Sequence, residues 1–122
     1  MVEGVFPWVF TPEMYAERPE VLEQFAEVVR TRPSQPLEGF MAQSQAVLDH
    51  DASAVLGDVA SPTLLTFGGR DLLTSTRFAA PLVDGIPDAR LVVFDHLFHC
   101  GFNEDPDAFT AVMLDFLAGT SR

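Results

Sequence analysis

Two short apolar runs in the second half of the chain constrain the fold more than any other feature. Residues 62–67 (Pro-Thr-Leu-Leu-Thr-Phe) and residues 90–94 (Arg-Leu-Val-Val-Phe) are rich in strand-forming side chains. Continuous apolar runs of this length, bounded by glycine, proline and aspartate, are typical of buried parallel strands. We therefore predict two parallel strands in this half of the chain.

Two helices are predicted around these strands. The first covers about residues 76–83, where Pro81 can kink or delay it. The second begins at Asp105-Pro106, with aspartate as the N-cap and proline in the first turn, and Gly119 ends it. Its apolar stripe consists of Phe109, Val112, Met113, Phe116 and Leu117. Because strand, helix, strand, helix is the repeating unit of a parallel sheet covered by helices, the predicted fold class is α/β.

The first half of the chain has a helical pattern instead. Thr11-Pro12 reads as an N-cap followed by proline in the first turn, and Pro19 starts a second stretch in the same way. Prolines within residues 31–36 break this helix, and another helix is predicted over about residues 37–49. The two patterns meet near residue 60. We therefore divide the chain into a helical segment, residues 1–58, and a strand-containing part, residues 59–122.

Charge and composition exclude several classes of partner. The chain carries 7 basic and 18 acidic residues, and its net charge of -11 would repel a phosphate backbone. We expect neither nucleic acid nor a membrane as a partner, since no apolar run approaches the ~20 residues that span a bilayer. Because no basic segment followed by an apolar one stands at the start of the sequence, we expect no secretory signal. Cys100 is the single cysteine, which rules out an internal disulfide and predicts a cytoplasmic protein.

Asp71 and His99 are the residues most able to carry chemistry, because each follows a predicted strand. Functional groups in open α/β sheets gather just beyond the carboxyl ends of the strands. An aspartate after one strand can orient a histidine after its neighbour and stabilise the protonated ring. Gly68 and Gly69 allow the backbone to turn sharply before Asp71. We therefore expect the carboxylate and the imidazole to meet at one edge of the sheet.

These elements resemble the carboxyl-terminal half of enzymes with the α/β-hydrolase fold. The resemblance lies in residues 62–71 (PTLLTFGGRD), residues 86–94 (IPDARLVVF) and His99, followed by Asn103-Glu104-Asp105-Pro106. In that family a strand ends in a glycine-containing loop with the acid of the catalytic triad, and the next strand leads to the triad histidine. The resemblance implies that Asp71 is the acid and His99 the general base.

The resemblance extends to the first half of the chain. The stretch from Trp8 to Tyr15 onward is similar to the helical lid of the esterase, enol-lactone hydrolase and cofactor-free haloperoxidase-like branch of the family. It implies a partial α/β-hydrolase fold, in which two parallel strands with flanking helices are preceded by a helical lid. It also implies a small-molecule substrate such as an ester or lactone, with no metal and no cofactor.

The sequence departs from the family in two respects. Phe98 precedes the histidine where the family usually has glycine. The family's nucleophile lies in a Gly-x-Ser-x-Gly turn upstream of the lid, together with the loop that forms the oxyanion hole. No serine of this chain has glycine two places away on both sides; the serines are Ser34, Ser44, Ser53, Ser61, Ser75 and Ser121. We therefore expect the nucleophile and the oxyanion hole to be absent from this chain.

Several residues have other interpretations. Asp71 can be a turn residue, and His96 competes with His99 for the role of base, although the spacing to Glu104-Asp105-Pro106 favours His99. His96, His99 and Cys100 can be considered as zinc ligands, but the sequence points to no fourth ligand. Cys100 reads as a small buried thiol rather than a nucleophile, and Ser75 as a helix cap. The aromatic cluster Phe6, Trp8, Phe10 and Tyr15 lines an acyl pocket or packs the lid.

A sheet of two strands is marginal alone, because unpaired strand edges and apolar helix faces need cover. We therefore predict that the chain forms a homo-oligomer or binds a complementing amino-terminal half. Three functions are consistent with these features. The chain is a hydrolase portion that is inactive alone, one half of a split hydrolase, or a binding or oligomerisation module that has lost catalysis.

Overall fold

The computed structural model describes residues 4–120. Its elements are, in chain order, α1 (Phe6–Val9), α2 (Pro12–Glu17), α3 (Pro19–Thr31), α4 (Leu37–Asp49), a 3₁₀ helix (Ser53–Asp58), β1 (Thr63–Gly68), a second 3₁₀ helix (Thr76–Phe78), α5 (Ala79–Gly85), β2 (Ala89–Phe94), α6 (Gly101–Glu104) and α7 (Pro106–Thr120). No helix between residues 4 and 120 combines the length and the apolar character that crossing a bilayer requires.

Proline fixes the starts of the first three helices. Each of α1, α2 and α3 has proline in its first turn, where the missing N–H removes no helical hydrogen bond. The predicted helices at Pro12 and Pro19 and over Leu37–Asp49 are confirmed, whereas α1 was not predicted. Thr11 occupies the N-cap position of α2, but its side chain makes no capping bond.

The main apolar cluster lies within the helical segment. Phe10, Met14 and Leu22 are buried there, and half-buried Cys100 from the second half of the chain packs against them. The Phe10 ring meets Phe6 edge-on at 5.6 Å between centroids. Helix α4 stands apart from this cluster, because its large apolar side chains are exposed: Leu37, Phe40, Met41, Val47 and Leu48.

The two strands form a parallel pair, with partners running from Thr63 opposite Ala89 to Gly68 opposite Phe94. Helix α5 connects them and packs on both. Helix α7 lies against the pair through Phe109, whose ring stacks on Phe94 at 5.8 Å between centroids. The predicted α/β architecture of two parallel strands with flanking helices is confirmed.

Two details of the predicted helices differ from the structure. The turn at Thr76–Phe78 is 3₁₀ rather than α-helical, and α5 follows it directly. Pro81 is the third residue of α5, where its backbone nitrogen needs no helical acceptor, so it does not kink the helix. Gly119 does not end the last helix, which continues through Thr120. A terminating glycine usually adopts positive φ, and no glycine of the described residues does so.

Candidate active site

The end of β1 is shaped by two glycines that let the loop after β2 cross it closely. A Cβ added to Gly68 would lie 2.2 Å from the carbonyl oxygen of Phe98, and one added to Gly69 would lie 2.7 Å from the Cα of Asp95. The Gly69 N–H donates to the carbonyl of Phe94 at 2.8 Å and extends the strand pairing. The glycines are therefore required for close approach, and they bring the loop that carries the histidine onto the strand that leads to the aspartate.

The structure brings Asp71 and His99 together at this edge of the sheet. Nδ1 of His99 lies 3.0 Å from Oδ2 of Asp71, although the residues are 28 positions apart. Asp71 is only 7% exposed, whereas the side chain of His99 retains 37% of its exposure. The carboxylate is thus enclosed while the ring remains accessible to a reacting group.

Backbone and side-chain donors fix the Asp71 carboxylate. The N–H groups of Leu73 and Thr74 donate to Oδ1 at 2.7 and 3.1 Å. The Thr74 hydroxyl donates to Oδ2 at 2.8 Å. Burial, the largest single influence, raises the pKa of Asp71, but the hydrogen bonds from His99, Thr74 and Leu73 together outweigh it and the pKa is lowered. Asp71 is therefore a carboxylate at neutral pH.

The geometry determines which ring nitrogen of His99 is available. A carboxylate can only accept, so the bond to Asp71 places a proton on Nδ1 and leaves the lone pair of the neutral ring on Nε2. No described residue makes a hydrogen bond to Nε2. The unprotonated Nε2 of a partly exposed ring, with an enclosed carboxylate at Nδ1, can take a proton from a reacting hydroxyl and later return it.

Glu104 attaches the histidine loop to the helical segment, a role that the sequence did not suggest. Its carboxylate accepts from the backbone N–H of Thr11 and, at 2.7 Å, from that of Phe98. Beside it, the N–H of Cys100 donates to the carbonyl of Val9 at 3.0 Å. Glu104 therefore holds the loop before His99 and is itself bonded to Thr11, while Cys100 after His99 is bonded to Val9. No local pattern reveals the two long-range bonds, because their partners lie about ninety positions apart in the sequence.

The other candidates lie apart from the Asp71–His99 contact. His96 is exposed, and its Nε2 lies 3.3 Å from Oδ2 of Asp105, whose other oxygen accepts from Ala108 at the start of α7. His96 therefore bonds to the aspartate before α7, whereas His99 is the histidine in contact with Asp71. Ser75 is the predicted cap, with its hydroxyl accepting from the Arg77 N–H.

Cys100 and its neighbours do not form a metal-binding group. Among residues 4–120, no three His, Cys, Asp or Glu side chains are close enough together to hold a metal ion. Burial raises the pKa of the Cys100 thiol, and the nearby charges of Glu104 and Asp71 raise it further. Since the thiolate is the nucleophilic form, this environment disfavours Cys100 as a nucleophile.

The aromatic cluster divides into two parts. Phe10 is buried and Phe6 packs against it, whereas Trp8 and Tyr15 are exposed. Their positions favour packing for the first two residues. The exposed pair remains available to line a pocket.

The sequence is similar to those of several hydrolases. It is 36% identical over 72 residues to a pimeloyl-(acyl-carrier protein) methyl ester esterase of Neisseria meningitidis, a match that covers 59% of this chain and 28% of the esterase. It is 36% identical over 89 residues to a 2-hydroxy-6-oxo-6-phenylhexa-2,4-dienoate hydrolase of Burkholderia cepacia, with 71% of this chain and 31% of the relative covered. No protein-family profile matches the sequence.

A solved structure supports the same grouping. The crystal structure of a hydrolase from Pseudomonas aeruginosa superimposes with a TM-score of 0.80 at 28% identity, over 95% of this chain and 42% of that one. The chain spans about a third of the length of the two relatives and less than half of this structural neighbour.

Proposed function

We propose that this chain, which belongs to the α/β-hydrolase fold family, supplies the general base and its carboxylate partner for the hydrolysis of an ester, lactone or similar small substrate. The observation that carries the proposal is the 3.0 Å contact between His99 Nδ1 and enclosed Asp71. It favours a proton on Nδ1 and leaves Nε2 as the unprotonated nitrogen of a side chain that is 37% exposed. The relatives are named for the methyl ester of a pimeloyl group on an acyl-carrier protein and for a dienoate, which supports a substrate with an acyl-type carbonyl.

In the proposed reaction, Nε2 of His99 removes the proton of a serine hydroxyl as the oxygen attacks the substrate carbonyl. The same proton then passes from Nε2 to the leaving group, and water repeats the sequence to release the acid. Asp71 holds the ring and stabilises the imidazolium that forms, without itself taking the proton. The serine and the oxyanion donors come from outside these 122 residues in this proposal, because no serine here has the required glycine spacing.

We assign the helical segment, residues 1–58, to a lid and residues 59–122 to the sheet part of the enzyme. In support, α4 exposes Phe40, Met41 and Leu48, and the strand pair exposes Leu91 and Val93. Apolar faces of this extent favour contact with further protein. The chain therefore associates with a complementing amino-terminal half or with a second copy. The single cysteine is compatible with a cytoplasmic location.

A complementation experiment tests this proposal. The full chain is co-expressed with the part of the Pseudomonas aeruginosa hydrolase that the structural match leaves uncovered, and the complex is isolated. We expect nitrophenyl ester hydrolysis by the complex and none by the chain alone. His99→Ala and Asp71→Asn should each lower kcat by about 10³-fold or more.

Control variants and alternative outcomes make the experiment decisive. His96→Ala removes the neighbouring imidazole and should leave the rate within about threefold. Ester turnover by the chain alone, with labelling of one of its serines by a fluorophosphonate, would contradict our account of the nucleophile. A folded complex without activity would favour the binding module that has lost catalysis.

Sedimentation velocity tests the proposed association. We expect the chain alone to sediment as an oligomer at micromolar concentration and to form a heterodimer with the added half. A compact monomer that binds no partner would oppose the proposed association.

A further inference from the structure

We propose that Thr74 is a positioning residue for the Asp71–His99 pair, and that its hydroxyl, by bonding to both side chains, selects the tautomer of His99 that the reaction needs. This inference rests on the proposed function for its catalytic consequence. Its structural content is independent of that function, because it concerns a hydrogen-bond arrangement that exists without substrate.

The hydroxyl of Thr74 lies between the two members of the pair. It is 2.8 Å from Oδ2 of Asp71 and 3.3 Å from Nδ1 of His99. A hydroxyl has one proton to donate, and the carboxylate can only accept, so that proton goes to Oδ2. Toward Nδ1 the hydroxyl oxygen can then act only as an acceptor. Both neighbours of Nδ1 are therefore acceptors, which favours a proton on Nδ1.

Thr74 also immobilises the carboxylate itself. Its backbone N–H and the Leu73 N–H hold Oδ1, so that Oδ1 has two fixed donors. Oδ2 has the Thr74 hydroxyl and the His99 ring. Without the hydroxyl, only the ring would hold Oδ2, so the carboxylate would be fixed mainly through Oδ1 and its contact with Nδ1 would be less well defined. One residue therefore supports both oxygens of Asp71.

The hydroxyl also contributes to the lowered pKa of Asp71, because it bonds to the charged form. The pKa of Asp71 is therefore a measurable quantity that would not change if Thr74 served only to fold the loop. Ser75 provides the contrast, since it also carries a hydroxyl and lies next in sequence. Its side chain accepts from the Arg77 N–H instead.

Nuclear magnetic resonance of the full chain tests the proposal. Ring ¹⁵N–¹H correlations identify the protonated nitrogen of His99, and side-chain ¹³C shifts follow the titration of Asp71. In the wild type we expect the neutral ring to carry its proton on Nδ1. In Thr74→Val, which has nearly the same shape, we expect a mixture of the two tautomers and a higher pKa for Asp71. Thr74→Ser restores the hydroxyl and should restore both readouts.

Ser75→Ala is the matched control and should behave like the wild type in both readouts. If Thr74→Val has the wild-type tautomer and the wild-type Asp71 titration while remaining folded, the proposal is wrong. If Thr74→Val does not fold, Thr74→Ala and Thr74→Ser are compared in the same two readouts, and equal behaviour of this pair would equally overturn it.

Activity separates this inference from the proposed function. In the complemented enzyme, Thr74→Val should lower kcat about tenfold with little change in KM, since positioning affects the transition state more than substrate binding. An inactive complex with the expected tautomer difference would refute the function and leave the role of Thr74 intact. An active complex in which Thr74→Val matches Thr74→Ser in kcat would refute the role of Thr74.

Discussion

Replacing Gly68 by alanine should damage both the stability of the chain and the contact between Asp71 and His99. The added Cβ would lie 2.2 Å from the carbonyl oxygen of Phe98 and 2.6 Å from that of Leu97. Both obstacles are backbone atoms, so no side chain can rotate away. Relief of the overlap requires the loop or the strand end to shift by about 1 Å.

The expected cost is about 3 kcal/mol in free energy of unfolding, at the upper end of the range for overpacking. The loop shift should also lengthen the bond between His99 Nδ1 and Asp71 Oδ2, because His99 follows Phe98 directly. Equilibrium urea unfolding followed by far-ultraviolet circular dichroism measures the first effect. The ring resonances of His99 measure the second.

Gly119→Ala is the matched control. A Cβ at Gly119 meets nothing within 4 Å, and the residue lies inside α7. Alanine is the better helix former, so this variant should gain up to about 1 kcal/mol. If Gly68→Ala instead unfolds within about 0.5 kcal/mol of the wild type, with unchanged His99 resonances, the close approach that we describe is wrong.

Three further changes test other contacts. Because the pKa of Asp71 is lowered in the folded state, its ionised form contributes stability that is present above about pH 4 and is lost as pH falls through the folded pKa. The difference in free energy of unfolding between the wild type and Asp71→Asn, measured by urea unfolding across pH, should therefore shrink in acid. A difference that stays constant with pH would contradict this. Glu104→Gln places an amide NH₂ against the backbone N–H of either Thr11 or Phe98, and it should lower the free energy of unfolding by about 1.5–3 kcal/mol. Hydrogen exchange at both backbone amides should become faster. Unchanged exchange would contradict the role of Glu104 in holding the loop. Phe10→Ala empties a buried site and should cost about 3–5 kcal/mol in thermal or urea unfolding, against less than about 0.5 kcal/mol for exposed Trp8→Ala; similar losses for both would refute the assignment of the core.

The strands and longer helices were predictable because local chemistry specifies them. Both strands were predicted to within one residue, since short apolar runs between turn residues seldom form any other secondary structure. The helix over Leu37–Asp49 follows Pro36 directly, and α7 starts after an aspartate whose side chain caps it as expected. In each case the residues that predict the helix lie within one turn of the point where it begins.

The short elements were not predictable by the same means. Helices α1 and α6 have four residues each, too few to show a period. Gly119 was misread because a glycine near a helix end is a stop signal only when its backbone adopts positive φ, and the composition of the helix does not reveal that.

For the candidate site, the sequence predicted that Asp71 and His99 would meet, but it did not predict the residues that support them. Asp71 and His99 were found because each follows a strand, and parallel strands end at the same edge of a sheet. Thr74 lies three residues after Asp71, and a threonine in a turn is too common to indicate a special role. Its bond to His99 exists only because the loop after β2 folds back onto the end of β1, which the local sequence does not show. Glu104 was read only as part of a helix start, since its partner at Thr11 is distant in sequence.

The attachment of the histidine loop has a consequence for protein engineering. An exchange of residues 1–58 as a block would also remove Val9 and Thr11, which hold the loop through Cys100 and Glu104. Arg18 would go as well, with its bonds to the carbonyls of Asn103 and Glu104. A junction placed after Arg18 avoids that loss, provided that the incoming helix keeps apolar side chains where Leu22 and Phe25 pack. The portion that can be exchanged without disturbing the position of His99 is therefore shorter than the helical segment.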